Sequence, residues 1–182
     1  MDAELCAYAI DSEDRICFLS PEWMAFAFHN GGSGLIPDVV LGRSLWDFVA
    51  GSKTRHLYEL LLERVRGSKK SVTVPFRCDA PSLRRSMELT LTPTSNGGIE
   101  FRSQLVHEER RKPVVVPVAP KSDTAEFLRI CSWCKRVVVD HETWVEIEEA
   151  LARTQLFLRE DLPEFTHTIC PRCENMIRTL AQ

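Results

Sequence analysis

Along the first 110 positions, apolar residues first recur at helical spacing and then switch to strict alternation. Short apolar runs at 7–10 and 16–19 flank the polar turn Asp11-Ser12-Glu13-Asp14, which predicts a β-hairpin. Ser20-Pro21 then offers an N-cap followed by a proline at the first helical position. The helix carrying Trp23, Met24, Phe26, Ala27 and Phe28 is expected to stop at Asn30-Gly31-Gly32. A short helix is expected over 44–49. A longer one is expected over 53–66, with Leu57, Leu60, Leu61 and Val65 on one face and Gly67 as its stop. The period then becomes 2: Val72, Val74, Phe76; Met87, Leu89, Leu91; Ile99, Phe101, Leu105. Pro75 cannot donate to a ladder, so it places the first of these strands at an edge or a bulge. Asn96-Gly97-Gly98 is the turn between the last two. The order of two strands, two or three helices and three antiparallel strands predicts an α+β fold with a five-stranded antiparallel sheet.

The pattern breaks at Arg110-Arg111-Lys112-Pro113-Val114-Val115-Val116-Pro117-Val118-Ala119-Pro120-Lys121, where three prolines stop any helix and favour extended backbone. It reads as a Pro-rich linker over 111–124 dividing a first domain, 1–110, from a second, 125–182; an edge strand at Val114 to Val116 is the other reading. Beyond it, Val137-Val138-Val139 predicts a strand. Thr143-x-x-Glu146 has the form of a capping box, opening a helix with Trp144, Ile147 and Leu151 on one face. Residues 164–169 predict a returning strand, and Pro171 starts a last helix through Met176, Ile177 and Leu180.

Composition adds little until it is split. The chain has 182 residues, 44% hydrophobic and 27% charged, ordinary for a globular protein. No apolar run approaches the roughly 20 residues of a membrane span, and the acidic start Met1-Asp2-Ala3-Glu4 lacks the basic region of a secretory signal. The expectation is therefore a soluble, cytoplasmic protein. Residues 1–112 carry 15 basic and 15 acidic side chains, whereas 113–182 carry 8 and 11. No basic stripe marks a phosphate-backbone binder.

The ordered elements of residues 5–107 resemble a PAS domain. The resemblance is carried by Tyr8-Ala9-Ile10-Asp11, by Ile16-Cys17-Phe18-Leu19-Ser20 with Trp23, by Leu41-Gly42-Arg43-Ser44-Leu45-Trp46-Asp47-Phe48, and by the closing hairpin. It implies a sensor or dimerisation domain, with a homodimer as the expected assembly. Such domains hold haem, flavin, small metabolites or nothing between sheet and helices, and no ligand of this kind is named by the sequence. The Asn-Cys-Arg-Phe-Leu motif of flavin photosensors is absent: Arg77-Cys78-Asp79 follows Phe76 instead. His56 is the one candidate for a haem axial ligand and reads more simply as a surface histidine. His29 reads as a favourable charge at a helix end. Arg77 and Asp79 are expected together on a solvated face.

Seven cysteines in a chain without a secretory signal do not form a disulfide framework. Cys6, Cys17 and Cys78 fall singly within sheet patterns and are expected as small core residues. Cys131-Ser132-Trp133-Cys134 and Cys170-Pro171-Arg172-Cys173 are two C-x-x-C turns, and two such turns bring four thiolates to one ion. Cys131, Cys134, Cys170 and Cys173 are thus the expected ligands of a structural Zn2+, with an iron–sulfur cluster or a redox pair as alternatives. His167 is expected near the site rather than on the metal.

Ile130-Cys131-Ser132-Trp133-Cys134-Lys135-Arg136, then Trp144, then Glu164-Phe165-Thr166-His167-Thr168-Ile169-Cys170-Pro171-Arg172-Cys173, resembles a cysteine-rich tail appended to bacterial two-component proteins. Thr166 stands where that tail has serine, and Val137-Val138-Val139 replaces a more polar stretch. No phosphate-cradling loop, nucleophile elbow or carboxylate pair is present. The two resemblances together imply a non-enzymatic signalling protein acting through a protein partner. A zinc-ribbon DNA-binding regulator is the alternative, which the acidic second domain disfavours unless Lys135, Arg136, Arg172 and Arg178 cluster. A thiol redox sensor is the second alternative.

Overall fold

The computed structural model describes residues 6–114, 127–140, 143–154 and 164–182. The expected hairpin is β1 (Cys6–Ile10) and β2 (Ile16–Leu19). Its turn is held by the Asp11 carboxylate, which accepts from the N–H groups of Glu13 and Arg15, both at 2.9 Å. Helix α1 (Pro21–His29) starts where Ser20 Oγ accepts from Trp23 N at 3.1 Å. The same buried hydroxyl accepts from Ala7 N at 3.1 Å, so this cap also fastens the helix to β1. Ser20→Ala removes both acceptors and is expected to cost roughly 1–3 kcal/mol, read as a lower urea midpoint at unchanged slope.

Helix α2 (Pro37–Val40) follows, then a 3-10 turn at Leu45–Asp47. The turn falls inside the expected 44–49 helix, whereas no periodicity pointed to α2, a single turn that buries only Val40. Helix α3 (Ser52–Ser68) is longer than expected. Gly67 lies inside it and is not its stop: the chain leaves the helix at Lys69, whose φ of 57 is left-handed and whose N–H reaches Val65 O. From that end Arg66 reaches back to the hairpin, donating to Asp14 Oδ1 at 2.6 Å and to the carbonyls of Asp11 and Gly97.

Strands β3 (Val72–Arg77), β4 (Leu83–Pro93) and β5 (Ile99–Arg110) complete an antiparallel sheet in the order β2-β1-β5-β4-β3. Pro75 lies on an edge strand, as its missing donor requires. A Cβ on Gly98 would collide with the Ile10 carbonyl oxygen, which explains the glycine in that turn. Leu57, Leu61 and Val65 of α3 lie over Val74, Leu91, Ile99 and Phe101, all 0–1% exposed. The fold is α+β: a five-stranded antiparallel PAS-like sheet with flanking helices.

The C-terminal part forms a second sheet, in the order β8-β7-β6-β9, from β6 (Phe127–Cys131), β7 (Val137–Val139), β8 (Thr143–Val145) and β9 (Glu164–Thr168). Helices α4 (Ile147–Thr154) and α5 (Pro171–Leu180) complete it. The capping-box expectation is corrected. Thr143 and Trp144 are strand residues paired with Val139 and Val138, because β-branched and aromatic side chains continue the valine ladder more readily than they start a helix. The helix starts one residue after Glu146, whose carbonyl accepts from Ala150 N. Of the expected linker, Arg111 and Val114 are held by backbone bonds to Ser82 and Pro81; residues 115–124, with the valines of the edge-strand reading beyond Val114, lie outside the described residues. The C-terminal part meets α3 and edge strand β3 chiefly through the first cysteine turn and α5. Cys131, Trp133, Ile169, Cys170, Cys173 and Ile177 join one buried cluster with the α3 and β-sheet core, leaving Val137, Val139, Val145 and Ala150 as a separate small one.

Candidate metal centre and its docking face

The two cysteine turns are brought together by parallel pairing. β6 runs beside β9 with Cys131 opposite Thr168, and Ser132 N donates to Thr168 O at 2.8 Å. Beyond Cys131 the chain reverses: Lys135 N reaches Cys131 O at 3.0 Å, with Lys135 itself left-handed at φ 61. On the other strand, Cys170 is the N-cap of α5 and Pro171 takes its first position. The Cys170 N–H points at Cys131 Sγ, 3.4 Å away.

The four sulfurs of Cys131, Cys134, Cys170 and Cys173 all lie within 4.8 Å of one another, and Cys134 Sγ is 3.7 Å from Cys170 Sγ. A tetrahedron of about 2.3 Å metal–sulfur bonds sets its corners about 3.8 Å apart, so the donor set fits one ion. An iron–sulfur cluster spreads its thiolates over several irons and needs a wider cage. Cys131, Cys170 and Cys173 are buried and Cys134 is half-buried, which leaves no open position for a substrate. Packed thiols cannot all ionise unaided. S–H donation, from Cys134 first, holds Cys131 far below the usual thiol range, while hydrogen bonding to Cys131 and the other two pushes Cys173 far above it. A divalent cation is the group that lets all four become thiolates.

His167 stands on β9 opposite Ile130 and is exposed. It is not among the clustered donors; burial and then Lys135 hold its imidazole below the usual range. His56 is exposed, with Nδ1 4.0 Å from Glu59, and His29 Nδ1 lies 2.7 Å from Ala25 O near the end of α1. The expectation of three core thiols holds for Cys6 alone. Cys17 is exposed because only Ile16 of edge strand β2 is buried, and Cys78 lies beyond the end of β3, half-buried. The basic side chains of the second sheet are largely taken: Arg136 pairs with Glu146, Arg178 with Glu174, and Lys135 Nζ donates to Ser132 O.

The turn that carries the first two cysteines also grips the PAS-like sheet. Trp133, 4% exposed, donates from Nε1 to Pro75 O at 2.7 Å, and its own carbonyl accepts from Arg77 N at 2.9 Å. Outward-facing backbone groups of edge strand β3 are thereby satisfied by the first cysteine turn itself. Thr54 Oγ1 donates to Ser132 Oγ at 3.1 Å, and the rings of Tyr58 and Trp133 meet at 5.4 Å.

Around this contact runs a charged network that corrects the solvated reading of Arg77 and Asp79. Their side chains are only 13% and 9% exposed and pair with each other; Arg77 also pairs with Glu146. Glu148 accepts from Arg111 at 2.8 Å and Arg84 at 3.1 Å. Among the described residues Arg84 Nε, Arg111 Nε and Glu148 Oε2 are buried without hydrogen-bond partners. The network thus fixes how the two sheets meet more than it adds stability. Burial raises the affinity of Glu146 for its proton, but hydrogen bonds from Arg77 and Arg136 outweigh this and leave its pKa below the usual range. A lowered carboxylate stabilises the fold above the unfolded-state value near 4.3, and this is lost as pH falls through the folded value. Glu146→Gln is therefore expected to destabilise the protein at pH 7, with the gap from wild type narrowing towards pH 4. Urea unfolding of the two zinc-loaded proteins, from pH 7 down to the pH at which either releases its metal, measures that difference.

No family model matches the chain, and no curated protein matches it. Among solved structures it is similar to a domain of an HTR-like protein from Haloarcula marismortui: 11% identity, TM-score 0.42, covering 58% of this chain and 100% of that one. It is similar to the PAS domain of BvgS from Bordetella pertussis, with 20% identity, TM-score 0.38 and coverage of 55% and 71%. It is also similar to a dual PAS-haem oxygen-sensor receptor from Vibrio cholerae, with 14% identity, TM-score 0.39 and coverage of 58% and 96%.

Proposed function

We propose that the chain is a non-enzymatic signalling protein in which a PAS-like sensor is read out through a zinc-stabilised cysteine module docked on its edge strand. The observation that carries this reading is the place of Trp133: it lies between two ligands of the candidate ion and is hydrogen-bonded to β3 in both directions. A change in the sensor sheet at β3 therefore reaches the metal turn within one residue, and a change at the metal reaches the sheet by the same route. Output passes to a protein partner, with a homodimer through the PAS-like domain as the working assembly. The setting is a reducing cytoplasm, where the thiols stay available to the ion. Among the described residues no helix is long and apolar enough to cross a membrane.

Metal analysis with an absorbance spectrum of the same purified sample tests the reading. The expected result is one zinc per chain, a flat visible spectrum and a dimer by sedimentation. A visible band with iron present would replace zinc by a cluster or haem. A zinc-free, folded protein would refute the reading. DNA binding that falls steeply with salt would favour the transcriptional alternative, and disulfide turnover the redox one.

A further inference from the structure

We propose that the open cavity between α3, β3 and the first cysteine turn binds a small, uncharged, planar aromatic molecule of one or two rings bearing a hydrogen-bonding group. The space is about 270 Å³, below the ~300–1,000 Å³ typical of sites for drug-sized ligands, so a fragment-sized guest is what it admits. Its walls include the rings of Phe48, Tyr58, Phe76 and Trp133. Tyr58 and Trp133 meet at 5.4 Å, tilted by 55° rather than stacked, and together give the cavity an aromatic wall suited to a planar guest. Among the described residues no Lys, Arg, Asp or Glu lines the space, so a charged guest would be desolvated without a counter-charge.

The polar groups at the cavity are neutral. Thr54 and Ser132 meet across it, one from α3 and one from the metal turn. Among the described residues the Tyr58 hydroxyl has no hydrogen-bond partner. Burial pushes its pKa to about 12, keeping it a neutral donor. His167, whose imidazole is also held towards neutrality, completes the rim. A guest with one N–H or O–H finds acceptors and donors already in place.

Ser132, Trp133 and His167 belong to the cysteine module, and the other walls to the PAS-like domain. The cavity therefore exists only while the two are docked, and a guest that binds it selects the docked state. By linkage it also tightens the metal, and the metal tightens it. The inference rests on the docked, metal-bound reading proposed above and adds its ligand class.

The test is a calorimetric titration of the zinc-loaded full chain with indole, with zinc content measured on the same sample. One-to-one saturable binding with a dissociation constant on the order of 0.1–1 mM is expected for so small a ligand, and benzoate of similar size should give no saturable heat. Ala50 lines the cavity from its exposed rim. Ala50→Phe should fill the space and weaken indole at least tenfold while zinc content and melting temperature stay as in wild type. Thr54→Val, which keeps the shape and removes a hydroxyl, should weaken it several-fold. Absence of saturable indole binding by a fully zinc-loaded sample would overturn this inference and leave the zinc reading standing. Equal binding of benzoate, or wild-type binding by Ala50→Phe, would overturn it as well. A sample without zinc would count against the function proposed above instead.

Discussion

Stripping the metal from the purified protein is expected to unfold the PAS-like domain together with the cysteine module, in one transition. Structural zinc on four thiolates is worth roughly 10–16 kcal/mol of folding free energy in small modules, against a total of roughly 5–15 kcal/mol for a whole domain. The shared core spreads the loss beyond the module. Cys131, Cys170 and Cys173 are in the same buried cluster as Leu57, Leu61, Leu91 and Phe101. α5, which starts at Pro171 and buries Ile177 completely, packs against both α3 and β3. With the ion gone, the four sulfurs must take up protons or stand as crowded like charges, and the turn carrying Trp133 loses its fixed geometry. Circular dichroism and calorimetry after chelation should show the loss of near-ultraviolet signal and of the single endotherm; Cys173→Ser should behave likewise. A chelated protein that keeps its melting temperature would show that the sheet does not depend on the site.

Trp133→Ala is expected to be the most damaging substitution outside the four cysteines. A buried tryptophan cut to alanine costs about 3–5 kcal/mol, and here Pro75 O also loses its donor. For a chain of this size that corresponds to a drop of roughly 10 °C in melting temperature. Trp133→Phe keeps most of the packing and loses only the hydrogen bond, so its cost should be near 1 kcal/mol. The two variants separate docking by packing from docking by the edge-strand bond. Both leave the four sulfurs in place, so Trp133→Ala should still bind zinc, while limited proteolysis shows the module released from the sheet. If Trp133→Ala melted like wild type, the tryptophan would not be the anchor.

Much of the fold could be read from periodicity because the relevant contacts are close in sequence. The hairpin turn closes on Asp11, α1 is capped by its own Ser20, and the three late strands follow one another through short turns. The four cysteines were legible for a related reason: thiolate pairs at C-x-x-C spacing have few other uses. What escaped depends on partners far along the chain. Thr143-x-x-Glu146 satisfies the rule for a capping box, yet Thr143 is claimed by Val139 across a strand pair and the Glu146 carboxylate by Arg77, 69 residues away. Arg77 and Asp79 look like an exposed pair until that glutamate covers them. Lys69, not Gly67, ends α3, a left-handed lysine that propensity alone would not choose. Trp133 offered the one local hint of docking: a large aromatic between two clustered cysteines is an odd residue to leave in water.

Amide hydrogen exchange on the zinc-loaded and chelated protein, at one temperature and pH, tests the shared core most directly. The amides of Leu91 and Phe101, in the five-stranded sheet, are expected to lose protection together with those of Cys131 and Ile177. Sheet amides that stay protected while only the cysteine module exchanges would contradict a shared core.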